Sequence, residues 1–455
     1  MLWANFLHIY QPPDQKKYIM DSVVNESYRA VVSILKDNPH ARITMSIIGT
    51  LLERLDCDAY RDVIDGLREV SLRGQIEFTA GTMFHPFLPK IPDSEIIRQI
   101  NLNNDVQQYY FKSAYQPHGF YSPEAGYSFR VAEIAHSMGY AWTIVDEIAY
   151  SGFLSRRGYD FGHTPGFYSG GLKLRQIVGT VSGRGSEKDV PGTSAFPFPE
   201  REKFVDYSKL YEIRGLHGFL VHFRERVISD ALASGQIKTP EQFLAVLKPE
   251  MGKNRYLLTG TDGEAYGHHQ KGLDHVLGQL YHRKAFETIT ISELPDHFPV
   301  AEEVEPIPST WWTSEDEVRG KNFYARWHHT DNEIHDKQWA LTDLAIHAVT
   351  DKGGKPKKAS NEARKMLDEA LYSCHYWWAS ARPWWSIELI ERGARALADV
   401  VAYSEGYQGG IREVEKKKVS RGKAADALRL YQDVVFTAFD WLRTEKVWDL
   451  SHLHK

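Results

Sequence analysis

The residues of this chain best equipped for chemistry fall just past a series of short apolar runs. Glu124 lies in Pro117-His-Gly-Phe-Tyr-Ser-Pro-Glu-Ala-Gly-Tyr127, a turn between one such run and a helical pattern that begins near Ser128. His8 follows the first run, His85 the third, Asp146 and Glu147 the fifth, and Asp262 and Glu264 the sixth, while Glu77 lies within the third. Where strands alternate with helices and close into a barrel, residues just past the strands converge on one mouth, whatever their separation in sequence. Two carboxyl groups across such a mouth, one ionised as nucleophile and one carrying a proton for the leaving group, are what glycoside hydrolysis requires. A lone loop glutamate is ordinary surface; the company Glu124 keeps at the other strand ends singles it out.

Other candidates have simpler readings. His268 and His269 stand beside Asp262, but adjacent histidines on one loop rarely converge on one ion, and a metal site needs three or more ligands. No metal and no cofactor is expected. Trp377, Trp378, Trp384 and Trp385 form two pairs around Arg382-Pro383. They read either as helical core or, with Trp311-Trp312, as a cap over the mouth.

The elements that must position these residues alternate. Apolar runs at Leu2–Ile9, Arg42–Ile48, Gln75–Ala80, Gly119–Ser122, Ala141–Asp146, Tyr256–Gly260 and Thr288–Ser292 read as strands, with helical periodicity between them. The alternation predicts an α/β fold of parallel strands and crossover helices. It is interrupted over about 147–254, read as a long insertion, within which 182–193 has the glycine-rich, charged composition of a mobile loop, either a lid or a disordered segment. After Pro295 helical patterns take over, near 332–349, 359–378, 386–403 and 424–445, with a basic linker at 351–358. The expected organisation is a catalytic barrel over 1–295 and a helical C-terminal domain over 296–455.

Composition narrows the function classes. Among 455 residues, 55 are basic and 60 acidic, a net charge of −5 without basic clusters, which argues against nucleic acid or an anionic membrane as partner. A neutral substrate fits better. No apolar run approaches a membrane span, and the N-terminus reads as a core strand rather than a signal peptide. Two cysteines exclude a disulfide framework and suit the cytoplasm. Twelve tryptophans are more indole than an ordinary core needs, and sugar stacking is one use for them.

Taken together, the motifs resemble glycoside hydrolase family 57. Its opening histidine motif resembles His8-Ile-Tyr-Gln-Pro12, its second region Gly74-Gln-Ile-Glu-Phe-Thr-Ala-Gly81 with His85-Pro-Phe-Leu-Pro89, its third Gly119-Phe-Tyr-Ser-Pro-Glu124, and its fourth Asp262-Gly-Glu-Ala-Tyr-Gly267. The resemblance implies an incomplete (β/α)7 barrel followed by a helical C-terminal domain that completes the cleft. It implies a retaining α-glycosidase or transglycosidase of amylase or 4-α-glucanotransferase type, acting on α-linked glucans or oligosaccharides. Glu124 would be the nucleophile and Asp262 the acid/base, with His8, Gln11, Glu77, His85, Tyr121, Glu264, Trp377 and Trp378 lining the substrate. There are departures: Tyr10 stands where a second histidine is common, Tyr121 where tryptophan is usual, and Gly260-Thr261 where His-Asp often precedes the catalytic Asp. The fifth region is matched only loosely, by Ser373-Cys-His-Tyr-Trp-Trp-Ala-Ser380. The rival readings are a metal-dependent polysaccharide deacetylase and a catalytically inactive glycan-binding homologue.

Overall fold

The structure, a computed structural model, describes residues 1–155, 203–350, 361–382 and 384–447. The loop at 182–193, the linker at 351–358 and Pro383 lie outside the described residues. Its strands are β1 (Leu2–Ile9), β2 (Ile43–Ile47), β3 (Ile76–Phe78), β4 (Gly119–Phe120), β5 (Trp142–Asp146), β6 (Leu210–Ile213), β7 (Leu220–Arg224), β8 (Tyr256–Asp262), β9 (Glu287–Ile289) and β10 (Val300–Val304).

Two sheets make the barrel wall. One runs β3-β2-β1-β8, with β9 also paired to β1, and the other β10-β6-β7-β5-β4. A parallel bridge between Ala80 and Phe120 joins β3 to β4 on one side. On the other, the Glu225 N–H donates to the Leu258 carbonyl (2.9 Å) and ties the end of β7 to β8. The ring is therefore β1, β2, β3, β4, β5, β7 and β8, closed at the β7–β8 seam by few main-chain bonds, an incomplete (β/α)7 barrel. Along β1 the side chains alternate. Ala4 and Phe6 join an inner core with Phe120, Ile144 and Leu258, while Trp3, Leu7 and Ile9 pack under the outer helices. The register sets His8 level with Ser46 and Asp262, so imidazole and carboxyl emerge together at the carboxyl end of neighbouring strands.

The structure departs from the sequence reading in three places. The stretch 147–254 holds β6 and β7, and β7 pairs in parallel with β5 as part of the wall. Its apolar residues are interleaved with His222 and Arg224, which hid the strand pattern. Strands do not stop at Pro295, because β10 pairs in parallel with β6. The helix expected over 359–378 is two, Asn361–Ala370 and Cys374–Trp377, broken where the Ser373 N–H donates to the His85 carbonyl (2.9 Å) instead of continuing the helix.

Helices Glu333–Val349, Asn361–Ala370, Ile387–Ser404 and Lys423–Arg443 form the C-terminal bundle. Its apolar core is continuous with the barrel interior: Leu341, Leu397 and Val434 belong to the same cluster as Phe6 and Phe120. Phe87, in the loop after β3, stacks on Trp327 at 4.8 Å with the rings 2° from parallel. Such a pair contributes about 0.5–1.5 kcal/mol beyond its buried area.

Candidate active site

Glu124 is held in an uncommon backbone conformation. Its φ is 62° and that of Ala125 is 49°, so two consecutive residues with side chains occupy the left-handed region. Each costs on the order of 1–2 kcal/mol, and such outliers persist only where neighbours over-determine them. Here the Ala125 N–H donates to the Tyr121 hydroxyl (3.2 Å), the Trp311 N–H to the Glu124 carbonyl (3.1 Å), and the Tyr127 N–H to the Ser309 carbonyl (2.8 Å). The turn aims the carboxylate at the indole of Trp311, whose Nε1–H donates to Oε2 at 3.0 Å. Burial and the charge of Asp262 raise the Glu124 pKa to about 8, against the indoles of Trp311 and Trp312 and the charge of Arg326, which favour the ionised form.

Asp262 ends β8 across from this turn. Burial, then the charge of Glu264, raises its pKa to about 7, while His269 and Arg224 pull it down. Glu264 is held through one oxygen: its Oε1 accepts from the Tyr10 N–H (3.3 Å), Gln11 Nε2 (3.2 Å) and the Tyr28 hydroxyl. Gln11 thus acts through Glu264. The charge of Asp262 adds to the rise at Glu124, and both carboxyls shift into the neutral range.

Beside the pair lies an imidazole couple. His8 Nε2 meets His85 Nε2 at 3.0 Å, and His85 Nδ1 meets the Ser373 hydroxyl at 3.0 Å. Burial lowers the His8 pKa to about 3 and that of His85 well below its usual value, so both rings are neutral and share one hydrogen. Tyr10 stacks on His85 at 4.0 Å and accepts a hydrogen bond from the Cys374 thiol (3.6 Å). Tyr121 packs against His8, with ring centroids 5.0 Å apart.

The remaining expectations divide. Glu77 is not at the mouth. Its register partner Thr44 lies level with Phe6, and its carboxyl is taken up by Thr44 (3.1 Å) and by the hydroxyl and N–H of Ser292, deeper in the barrel. The parallel register of β1, β2 and β3 places Glu77 two positions below the level of His8. Asp146 is buried between Arg224 (3.2 Å) and Arg226 (2.8 Å), and His268 pairs with Glu26 (2.6 Å). Trp377 lies 6.2 Å from Trp312, next to the Glu124 turn, and contacts Trp378 and Trp384. Trp385 instead stacks on Trp441 within the bundle. Among the described residues no group of three His, Cys, Asp or Glu side chains is placed to hold a metal ion.

Arg224 and Arg326 were not anticipated. Arg224 ends a strand hidden in the supposed insertion, and its guanidinium lies 5.7 Å over Trp311. Arg326 comes from the helical region, in a stretch with no motif to mark it.

Comparison with known proteins identifies the family and the fold. The family model described as glycosyl hydrolase family 57 matches residues 4–306. An α-amylase of Pyrococcus abyssi is 25% identical over 141 residues, 31% of this chain and 21% of that protein. A 4-α-glucanotransferase of Thermococcus litoralis is 26% identical over 141 residues, again 31% of this chain and 21% of that protein. The match therefore spans about a fifth of the length of these curated relatives. The fold is similar to that of a family 57 branching enzyme from Thermococcus kodakaraensis, with a TM-score of 0.61 and 13% identity over 96% of each chain. It is also similar to the T. litoralis 4-α-glucanotransferase structure, with a TM-score of 0.57 and 14% identity over 89% of this chain and 58% of that one.

Proposed function

We propose, from the premise that this chain belongs to glycosyl hydrolase family 57, that it is a retaining α-glycosidase or transglycosidase acting on α-linked glucans or oligosaccharides. The observation that carries the reading is the Glu124–Asp262 pair: two carboxyls, both raised into the neutral range by burial, with the charge of Asp262 acting on Glu124 and an indole hydrogen-bonded to Glu124. In the first step a Glu124 oxygen attacks the anomeric carbon while Asp262 gives its proton to the departing glycosidic oxygen. In the second, Asp262 takes a proton from water or from a sugar hydroxyl, which displaces Glu124 and gives hydrolysis or transfer. The productive form has the proton on Asp262, so substrate binding must draw it there, because Glu124 at about 8 holds a proton more tightly than Asp262 at about 7. Trp311, Trp312 and Arg326 favour ionisation of Glu124, and the charge of Glu264 favours protonation of Asp262.

The neutral His8–His85 couple and Tyr121 offer hydrogen-bonding and stacking groups to the reacting sugar, and Trp312, Trp377 and Trp378 an aromatic surface for its neighbours. We place the enzyme in the cytoplasm, because Cys57 and Cys374 are both free; no helix of the described residues is long and apolar enough to cross a membrane.

The test is turnover of maltooligosaccharides with product analysis. Asp262→Asn is expected to lower kcat/KM by about 10²–10⁴-fold, the usual worth of a general acid/base, and less for an aryl glucoside whose leaving group needs no proton. Glu124→Gln is expected to abolish turnover on both. Azide should rescue a small variant, Glu124→Ala, by yielding the glycosyl azide of inverted configuration. Equal loss on both substrates with Asp262→Asn would remove Asp262 from the acid role, and turnover by Glu124→Gln would remove Glu124 from the nucleophile role.

A further inference from the structure

Arg326 occupies an unusual position for a residue outside the barrel. It is buried, with a side-chain exposure of 4%, and its guanidinium lies 5.3 Å over the indole of Trp312. Its Nη1 donates to the Trp312 carbonyl (2.8 Å) and its Nε to the Arg382 carbonyl (3.1 Å). It thereby clamps the Trp311-Trp312 turn from behind, and that turn supplies both the main-chain N–H on the Glu124 carbonyl and the indole N–H on the Glu124 carboxylate. Glu317 is its one carboxylate neighbour among the ion pairs described, at 3.5 Å, and the other oxygen of Glu317 is taken by the Ser314 N–H (2.8 Å). The positive charge of Arg326 is thus only partly offset where it faces Glu124.

We infer that Arg326 is a positioning residue for the nucleophile: it fixes the Trp311-Trp312 turn against Glu124 and supplies a cation near this carboxylate. The inference rests on the proposed role of Glu124. Other groups bear on the same carboxyl. Asp262 opposes its ionisation from the end of β8, and Tyr121 and Cys374 sense its charge from the turn after β4 and from helix Cys374–Trp377. Arg224 faces Tyr121 and Asp262 from β7. Arg326 is the cation whose field at Glu124 opposes that of Asp262.

The test reads the protonation of Glu124 without any substrate. Full-length protein labelled with ¹³C at the glutamate side-chain carboxyl is titrated by NMR, and the Glu124 resonance is assigned by its loss in Glu124→Gln. Arg326→Met is expected to move the Glu124 midpoint upward by about one pH unit, the lower end of the effect of one nearby opposite charge. Arg326→Lys keeps the charge and should leave the midpoint within about 0.3 units. Glu317→Gln removes the partial neutraliser and should move the midpoint downward, a result available even if Arg326→Met does not fold. A midpoint unmoved in Arg326→Met, or in Glu317→Gln when Arg326→Met is unfolded, would overturn the inference.

A second measurement separates this from the reading of the reaction. With 5-fluoro-α-glucosyl fluoride, a Glu124 oxygen bonds to C1 as the C–F bond breaks and fluoride leaves with the electron pair, so no proton from Asp262 is needed. A glycosyl ester on Glu124 of the wild type, seen by mass spectrometry, supports the retaining α-glucosyl reading, and its absence counts against that reading while leaving the titration result standing.

Discussion

At the scale of single residues, the site depends on carboxyls kept away from their ordinary ionisation. The folded chain binds protons on Glu124 and Asp262 more tightly than the unfolded chain does, because both pKa values are raised. Their contribution to stability is therefore fully present below about pH 4 and is lost as pH rises through 7 to 8. Glu124→Gln removes part of this dependence, so its melting temperature relative to wild type should rise between pH 5 and pH 9. A constant difference across that range would show that Glu124 titrates normally. A second expectation concerns the thiols. Burial raises the Cys374 pKa to about 12, whereas Cys57 is exposed, and the thiolate is the reactive form. Iodoacetamide at pH 8 should label Cys57 and spare Cys374, as peptide mapping would report. Glu124 and Asp262 were legible in the sequence because each lies at or shortly past the end of an apolar strand run. Arg326 was not, since what gives it a role is the approach of a distant turn.

At the scale of elements, the contact between barrel and bundle carries a buried ion network. Arg364, in helix Asn361–Ala370, reaches Glu95 in helix Asp93–Phe111 (2.8 Å) and Asp368 in its own helix (2.9 Å), and Arg98 is bidentate to Asp368 (2.8 and 2.6 Å). Glu95, Arg364 and Asp368 are buried. Removing one member of such a network leaves a buried charge uncompensated, at a cost of about 3–5 kcal/mol. Arg364→Ala should therefore shift the urea midpoint far below wild type, and pairing it with Glu95→Gln should recover part of the loss. A shift as small as that of an exposed pair would mean that water reaches the network. This contact could not be read from sequence, because the charges fall on two amphipathic helices more than 250 residues apart and look like solvated faces. The strands that were legible are those whose runs are apolar and bounded by turns. β7 escaped because His222 and Arg224 break its apolar run.

At the scale of the molecule, the barrel and the helical region share one apolar core and are expected to unfold as one unit. The Glu124 turn is held by Trp311, His85 is bonded to Ser373, Tyr10 to Cys374, and Phe87 stacks on Trp327, so the helical region reaches the mouth at several separate points. The apolar core runs without a break from Phe6 and Phe120 to Leu341 and Leu397. A fragment ending at residue 306 would expose the barrel half of that core, and apolar area returned to water costs about 25 cal/mol per Å². It would also release the left-handed Glu124–Ala125 backbone from the main-chain bonds that hold it. The fragment is expected to be insoluble or to lack a cooperative transition, and the full chain to melt in a single calorimetric peak. Two resolved peaks, or a soluble fragment that still turns over maltooligosaccharides, would show that the helical region covers the barrel without completing its site.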